Sequence, residues 1–384
     1  MAIYLEEKPF FIIGSERSGT TLLMAMLGEH PRLAVPEVAW LYPRFRPYLY
    51  SYGTPLAKEM LRTLAEEMVF GLKTPFWGMK VNPASVVDEI LGELRENSFA
   101  GICCAMFERY AGEMGKPRWG EKTPHNLFFI GDILEDFPNA QFIFVQRDGR
   151  DSSAEYLESA FGPTHVFCAA EIWKKCQNAV NPWRKHLSSR QWLDVKYEDL
   201  VKEPEGTLKS VCDFLGEEYT TKLFDFFMSP IAQRRGQTKD HAPLGGPVST
   251  NYIGVYKRLL SMKQQQIFMA VAGDELREAG YEIDVEPAVL APEEIARYKE
   301  LDGRSRAALL DAPDGHIVFE SYNDWLLDRR EDRRRQGIWT EKDIPARFPL
   351  GDPLEEEIAG FRAHRRWKQY LCIKRQYLAS RIVL

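Results

Sequence analysis

The sequence predicts an α/β protein: a P-loop-type doubly wound parallel sheet flanked by helices, with a helical or irregular C-terminal extension. Three observations carry this. An apolar run at 9–14 (PFFIIG) ends in glycine and leads through a polar loop into a segment with helical spacing. Two more apolar runs, 140–146 (AQFIFVQ) and 191–197 (QWLDVKY), are each followed by a helical pattern. Each of the three runs ends at a polar motif, and open parallel sheets bind ligands at the carboxyl ends of their strands.

Taken in order, 9–14 is continuously apolar, as a strand buried on both faces must be. In the following LLMAMLGEH, Leu23, Met26 and Leu27 fall at the i, i+3, i+4 spacing of a helix that His30-Pro31 closes. Residues 40–56 (WLYPRFRPYLYSYGTPL) combine aromatic residues with prolines and show little periodicity, which predicts a long loop. DILEDFPNA reads as a helix end and turn before the strand at 140–146, and RDGRD sits at that strand's carboxyl end. SSAEYLESAF and EDLVKEPEGTLKSVCDFLG read as helical. From about 285 the chain becomes charged and punctuated by proline. This divides it into an α/β domain, 1–284, and an extension, 285–384, expected to be helical and packed on the main domain or on a second subunit. Within the extension, 361–384 is basic, with no acidic residue, and Trp367, Leu371, Leu378 and Ile382 fall near helical spacing. A basic amphipathic helix of that kind can also touch an anionic membrane surface.

Composition narrows the function. The 384 residues are 45% hydrophobic and 28% charged, enough apolar material for a sizeable core. A net charge of −6 argues against a general nucleic-acid binder, so any anion site must be local. The six cysteines, Cys103, Cys104, Cys168, Cys176, Cys212 and Cys372, form no C-x-x-C pair and no zinc spacing. They read as reduced thiols of a cytoplasmic protein. The first residues lack the features of a signal peptide, and no run of apolar residues is long enough to span a bilayer.

The loop Gly14-Ser15-Glu16-Arg17-Ser18-Gly19-Thr20-Thr21 lies between predicted strand and helix. Backbone N–H groups there, with the helix N-terminus, make an anion site. Gly14 and Gly19 allow a tight turn, and Ser18, Thr20 and Thr21 add hydroxyls. The spacing imitates G-x-x-x-x-G-K-[ST], but Thr20 stands where a nucleotide phosphotransferase carries lysine. The cation is instead Arg17, inside the loop, able to hold an oxygen bridging phosphate and a neighbouring group.

FIIGSERSGTTLLMAMLGEHP resembles the 5′-phosphosulfate loop of sulfotransferases dependent on 3′-phosphoadenosine 5′-phosphosulfate (PAPS), and is especially similar to the tyrosylprotein sulfotransferases and their bacterial relatives. The resemblance runs over about 9–283 with its motifs in family order. It implies a sulfuryl transfer from PAPS to a hydroxyl or amine, releasing 3′-phosphoadenosine 5′-phosphate (PAP), with no metal. It implies that Arg17 contacts the 5′-phosphate and the bridging oxygen, that Arg147 in FIFVQRDGRD binds the 3′-phosphate, and that Tyr197 in DVKYEDL packs near the adenine. VSTNYIGVYKRLLS resembles the late loop that closes over the nucleotide, which makes Ser249, Lys257 and Arg258 candidate contacts. The family has a serine eight residues after the 3′-phosphate arginine; here that position is Glu155. A carboxylate would repel the phosphate, so the expectation is a shifted helix, or Ser152 or Ser153 in the serine's place, with Ser153 the assigned contact.

On the acceptor side, WGEKTPHN resembles the family segment whose lysine stabilises the transition state, which implies that role for Lys122. Two residues are candidates for the base. His125 titrates near neutrality by type and lies three residues from Lys122. Glu37 is the neighbour of the position where tyrosylprotein enzymes carry their base. Trp40, Tyr42, Phe45, Tyr48, Tyr50 and Tyr52 are candidates to line an acceptor pocket. The acceptor itself, whether peptide, sugar, lipid or small molecule, is open. Two other classes compete: a P-loop phosphotransferase, which the absent lysine disfavours, and a non-catalytic phosphoadenosine-nucleotide binder, which Arg17 and Lys122 disfavour.

Overall fold

A computed structural model describes residues 8–72, 75–79, 82–159, 162–310 and 317–344. The basic segment 361–384 and its expected membrane or subunit contact lie outside the described residues, as does Cys372. The other five cysteines are free thiols. Among the described residues, no helix is long and apolar enough to cross a membrane.

Five strands form one sheet: β1 (Phe10–Gly14), β2 (Leu33–Ala34), β3 (Arg118–Lys122), β4 (Gln141–Gln146) and β5 (Trp192–Lys196). Their order is β2-β3-β1-β4-β5 and every pairing is parallel. The apolar runs of β1 and β4 are continuous because both faces are covered. Phe10, Ile12, Ile143 and Val145 face one core with Leu23 and Leu27 of α1 (Thr20–Gly28) and with Leu208 and Val211 of the helix Pro204–Leu215. Phe11, Phe142 and Phe144 face the other, against the helices Lys58–Phe70 and Phe99–Glu113. Phe11 stacks on Phe142 and meets Trp119 edge-on. A third core joins the helices Val166–His186 and Met262–Glu278 through Trp173 and Phe268.

The predicted α/β sheet is therefore present, with two strands the apolar runs did not reveal. β3 reads RWGEK, and its polar residues hide it. Gly120 is required there, because a Cβ would fall 2.3 Å from the ring of Phe10 on β1.

The stretch 40–56 is not a loop. It forms a short helix, Leu41–Phe45, and a 3₁₀ helix, Arg46–Tyr52. Its aromatic residues mostly serve the core: Tyr42, Phe45, Tyr48 and Tyr52 are buried, and Tyr42 meets Phe99 edge-on. The expected acceptor pocket of six aromatic side chains is replaced by packing, since one helical turn per few residues sends most of them inward. Trp40 meets the imidazole of His125, at 4.8 Å between ring centroids.

Candidate functional site

The register places the polar motifs in one row. Ile12 of β1 lies opposite Lys122, Gly14 opposite Val145, and Gln146 opposite Lys196. The residues that follow each strand therefore meet at one edge. There they line a cleft of roughly 740 Å³, open solvent included, which contains Glu16, Arg17, Gly19, Thr20 and Thr21 from the first loop together with Arg147 and Tyr197.

The first loop bends through left-handed conformations at Arg17 (φ 62°) and Gly19 (φ 96°). Gly19 begins α1 without a capping side chain, so the first turn of a nine-residue helix presents its N–H groups beside the cleft. Gly19 also lies flat on Tyr197: a Cβ there would sit 2.5 Å from the tyrosine Cδ2. Ser18 and Ser15 are buried in the turn.

Arg147 follows β4 and is 2% exposed. Its guanidinium lies 4.4 Å over the Tyr197 ring. It donates to the carbonyls of Arg17 (2.7 Å) and Tyr252 (2.5 Å) and to Glu155 (2.8 Å). Arg17 reaches the same carboxylate at 3.3 Å and donates to the Asp240 carbonyl at 2.5 Å. The helix Gly149–Leu157 is thus in register, with Glu155 aimed into the cleft. Ser152 and Ser153 lie on the same helix. Both are buried, with hydroxyls that have no hydrogen-bond partner among the described residues, and neither lines the cleft. Asp148 pairs with Arg150 rather than Arg147, and Asp151 accepts from the N–H groups of Gly254 and Tyr256, which ties the late loop to this helix.

Ser249 lines the cleft and caps the turn Thr250–Tyr252. Lys257 and Arg258 are exposed outside the lining; the Lys257 ammonium lies 3.8 Å from Asp284.

Lys122 ends β3, is 6% exposed and donates to Thr21 Oγ1 at 3.3 Å. Burial, with the charge of Arg235, brings its ammonium down to about 8. His125 sits in the 3₁₀ turn Pro124–Phe128, its Nδ1 3.3 Å from Glu16 Oε1. Burial opposes charge on Glu16, but His125, Lys122 and Arg17 hold its carboxyl below the usual range. Glu37 is 3% exposed and held by two guanidiniums, Arg234 at 2.5 Å and Arg235 at 3.3 Å.

A profile of the sulfotransferase family matches residues 9–221, more than half of the chain. The chain belongs to the sulfotransferase family. It is 27% identical over 218 residues to the protein-tyrosine sulfotransferase of Drosophila melanogaster, covering 55% of this chain and 39% of that protein. It is 22% identical over 303 residues to the nodulation protein NoeE of Sinorhizobium fredii, covering 72% of this chain and 67% of that one. The chain spans about half or less of the length of the first curated relatives it matches. The sulfotransferase domain of the Synechococcus PCC 7002 olefin synthase superposes with a TM-score of 0.51 at 19% identity, over 74% of this chain and all of that domain, and so shares the fold.

Two residues around the cleft, His241 and Arg235, carry no motif signal, and a third, Glu121, stands inside WGEKTPHN, where the resemblance gives it no role. His241 lines the cleft. Burial, and the cations of Lys122, Arg235 and Arg17, push its imidazole down to about 4 despite a hydrogen bond involving Asp240, so it is neutral at pH 7. Arg235 joins Glu37 to the charge field around Lys122. Glu121, pushed up to about 7 by burial against hydrogen bonding from Thr123, also accepts from Asn126, while the N–H of Trp40 donates to Thr123 Oγ1 at 3.2 Å. That chain of bonds fixes the segment between Lys122 and His125 relative to Trp40. His241 and Arg235 have no sequence spacing that would mark them and are found only by the packing of distant segments, whereas Glu121 and its partners Thr123 and Asn126 are local to the Lys122 motif.

Proposed function

We propose that this chain moves the sulfuryl group of PAPS to a hydroxyl or amine acceptor by in-line displacement, releasing PAP. The observation that carries the reading is the convergence, in one cleft, of the uncapped start of α1, the Arg17 guanidinium and Arg147, with Lys122 reaching the loop at Thr21. In this reading one anion sits on the helix start and a second is drawn to Arg147, now paired with Glu155, as a nucleotide with phosphates on both sides of its ribose requires. The ring of Tyr197, between Arg147 and Gly19, offers a flat face beside them.

In this scheme the first-loop N–H groups and Arg17 hold the 5′-phosphate. As the S–O bond to that phosphate breaks, negative charge grows on the leaving oxygen, and Arg17 and Lys122 stabilise it as preorganised cations. The bond from acceptor oxygen or nitrogen to sulfur forms on the opposite side, and the acceptor proton passes to a base. Of the two candidates, His125 fits better. The Glu16 carboxylate beside Nδ1 favours the tautomer whose Nε2 accepts a proton and stabilises the imidazolium that results. Glu37 is instead committed to Arg234 and Arg235.

Radiolabelled PAPS incubated with the protein and a mixed acceptor extract tests the assignment. Transfer of label should proceed in EDTA and without ATP, and His125→Gln should slow it under single-turnover conditions while Glu37→Gln slows it through PAP affinity or stability. Transfer that requires ATP, or none at all, would reject the sulfotransferase reading.

A further inference from the structure

The cleft holds a carboxylate where an anion is expected to arrive. Glu155 projects from the helix Gly149–Leu157 and bridges two guanidiniums, Arg147 at 2.8 Å and Arg17 at 3.3 Å. Its side chain is 14% exposed and it lines the same cleft as the first loop. Three of the five N–H donors of Arg147 are committed, to Glu155 and to the carbonyls of Arg17 and Tyr252, while its Nε has no hydrogen-bond partner among the described residues. A phosphate that reached the remaining donors would lie against Glu155, like charge against like, unless it displaced it.

Resting on the sulfonucleotide reading above, we propose that Glu155 is a resident counter-anion which sets nucleotide specificity, so that this chain discriminates only weakly between nucleotides with a 3′-phosphate and those with a free 3′-hydroxyl. Both ligands find a partner. A 3′-hydroxyl donates to the Glu155 carboxylate as it stands. A 3′-phosphate exchanges for the carboxylate on Arg147, and the gain from the new charge-assisted bonds is offset by the loss of the old ones. Dinucleotide sites use the same two residue types for the same choice, an acid for the free ribose hydroxyl and an arginine for the phosphorylated one. Here both stand in one place.

Calorimetry with PAP and adenosine 5′-monophosphate, which differ only in the 3′-phosphate, tests this on the full chain. The wild type should prefer PAP by less than about tenfold, a ratio read without any variant and smaller than one unopposed charge-assisted contact gives. Glu155→Gln, which keeps the shape and removes the charge, and Glu155→Ser, which opens the seat, should each tighten PAP by about ten- to a hundredfold and change adenosine 5′-monophosphate by less than about threefold. A wild type that already prefers PAP by a hundredfold, or two folded variants with no gain for PAP, would overturn the role of Glu155 while leaving the nucleotide reading intact. Failure of all three proteins to bind either nucleotide would overturn both.

Discussion

Lys122 carries a charge that depends on conditions. Its ammonium is nearly enclosed at the end of β3, and burial with the neighbouring Arg235 lowers it to about 8. For a lysine the protonated form is the charged one, so the cation is present well below that value and is lost as pH rises through it. If Lys122 stabilises the departing phosphate, kcat/KM, which reports groups of the free enzyme, should fall along an alkaline limb near pH 8. Lys122→Met should fold, bind PAP within a few-fold of wild type and lose at least about a hundredfold in kcat, the usual cost of one preorganised donor. What remains of its activity should show no limb near that pH. Turnover at the wild-type rate would place the transition-state charge on another cation, with Arg235 the nearest by electrostatic influence. A defect confined to PAPS affinity would make Lys122 a ground-state ligand.

At the scale of elements, the first loop and α1 form one unit whose geometry depends on Gly19. The residue sits at φ 96°, where side chains are disfavoured, and its Cα packs on the Tyr197 ring. Gly19→Ala should therefore push the loop away from Tyr197 and tilt the helix start. We expect a loss of roughly 1–3 kcal/mol in stability, seen as a lower denaturation midpoint, together with PAP affinity weakened beyond that of a Ser18→Ala control. An alanine protein with unchanged PAP affinity would mean the N–H groups of this loop do not form the anion seat. This unit was legible in the sequence because strand, glycines and helix are contiguous, and β4 and β5 with Arg147 and Tyr197 were legible for the same reason. β3 was not, since burial of Glu121 and Lys122 breaks the apolar pattern that marks a strand. The aromatic run at 40–56 misled for the opposite reason: aromatic and proline residues without visible period predict a long loop, while tertiary packing folds them into short helices. Arg235 and His241 lie more than a hundred residues from Lys122, and only the fold brings their charge and ring to the site. The position of Glu155 was visible in the sequence, but its pairing with Arg17 needed the helix and the loop to be seen together.

The whole molecule is closed by a contact far along the chain. The helix Ile317–Arg335 returns to the helix Lys58–Phe70, where Arg333 meets Glu67 at 2.9 Å with both side chains almost fully buried, 3% and 4% exposed. The Tyr52 hydroxyl donates to the same carboxylate, and the Arg333 guanidinium lies 4.0 Å over the Tyr52 ring. Arg330 donates to the Arg44 carbonyl at 2.6 Å, and Trp339 Nε1 donates to the Arg330 carbonyl at 2.9 Å. The extension is thus held to this segment by polar groups, and also by apolar ones: Leu326 enters the core on that side of the sheet and Trp339 meets Tyr50 edge-on. A buried ion pair adds little over a well-packed apolar pair, but removing one partner costs up to about 3–5 kcal/mol when the other charge is left poorly compensated. Arg333→Met leaves Glu67 beside the partly exposed Arg329, at 3.8 Å, so it should lower unfolding free energy by up to about that amount in a denaturant titration. Arg333→Met combined with Glu67→Gln should recover part of the loss, because the carboxylate charge that lost its arginine is then removed as well. If Arg17 and Arg147 at the carboxyl edge of the sheet set PAP affinity, as proposed above, that affinity should stay within about twofold of wild type in both proteins, as expected for independent sites. Wild-type stability in Arg333→Met would show that this helix packs on the domain without contributing to its fold, and a loss of PAP affinity matching the loss of stability would show that the extension and the nucleotide cleft form one cooperative unit.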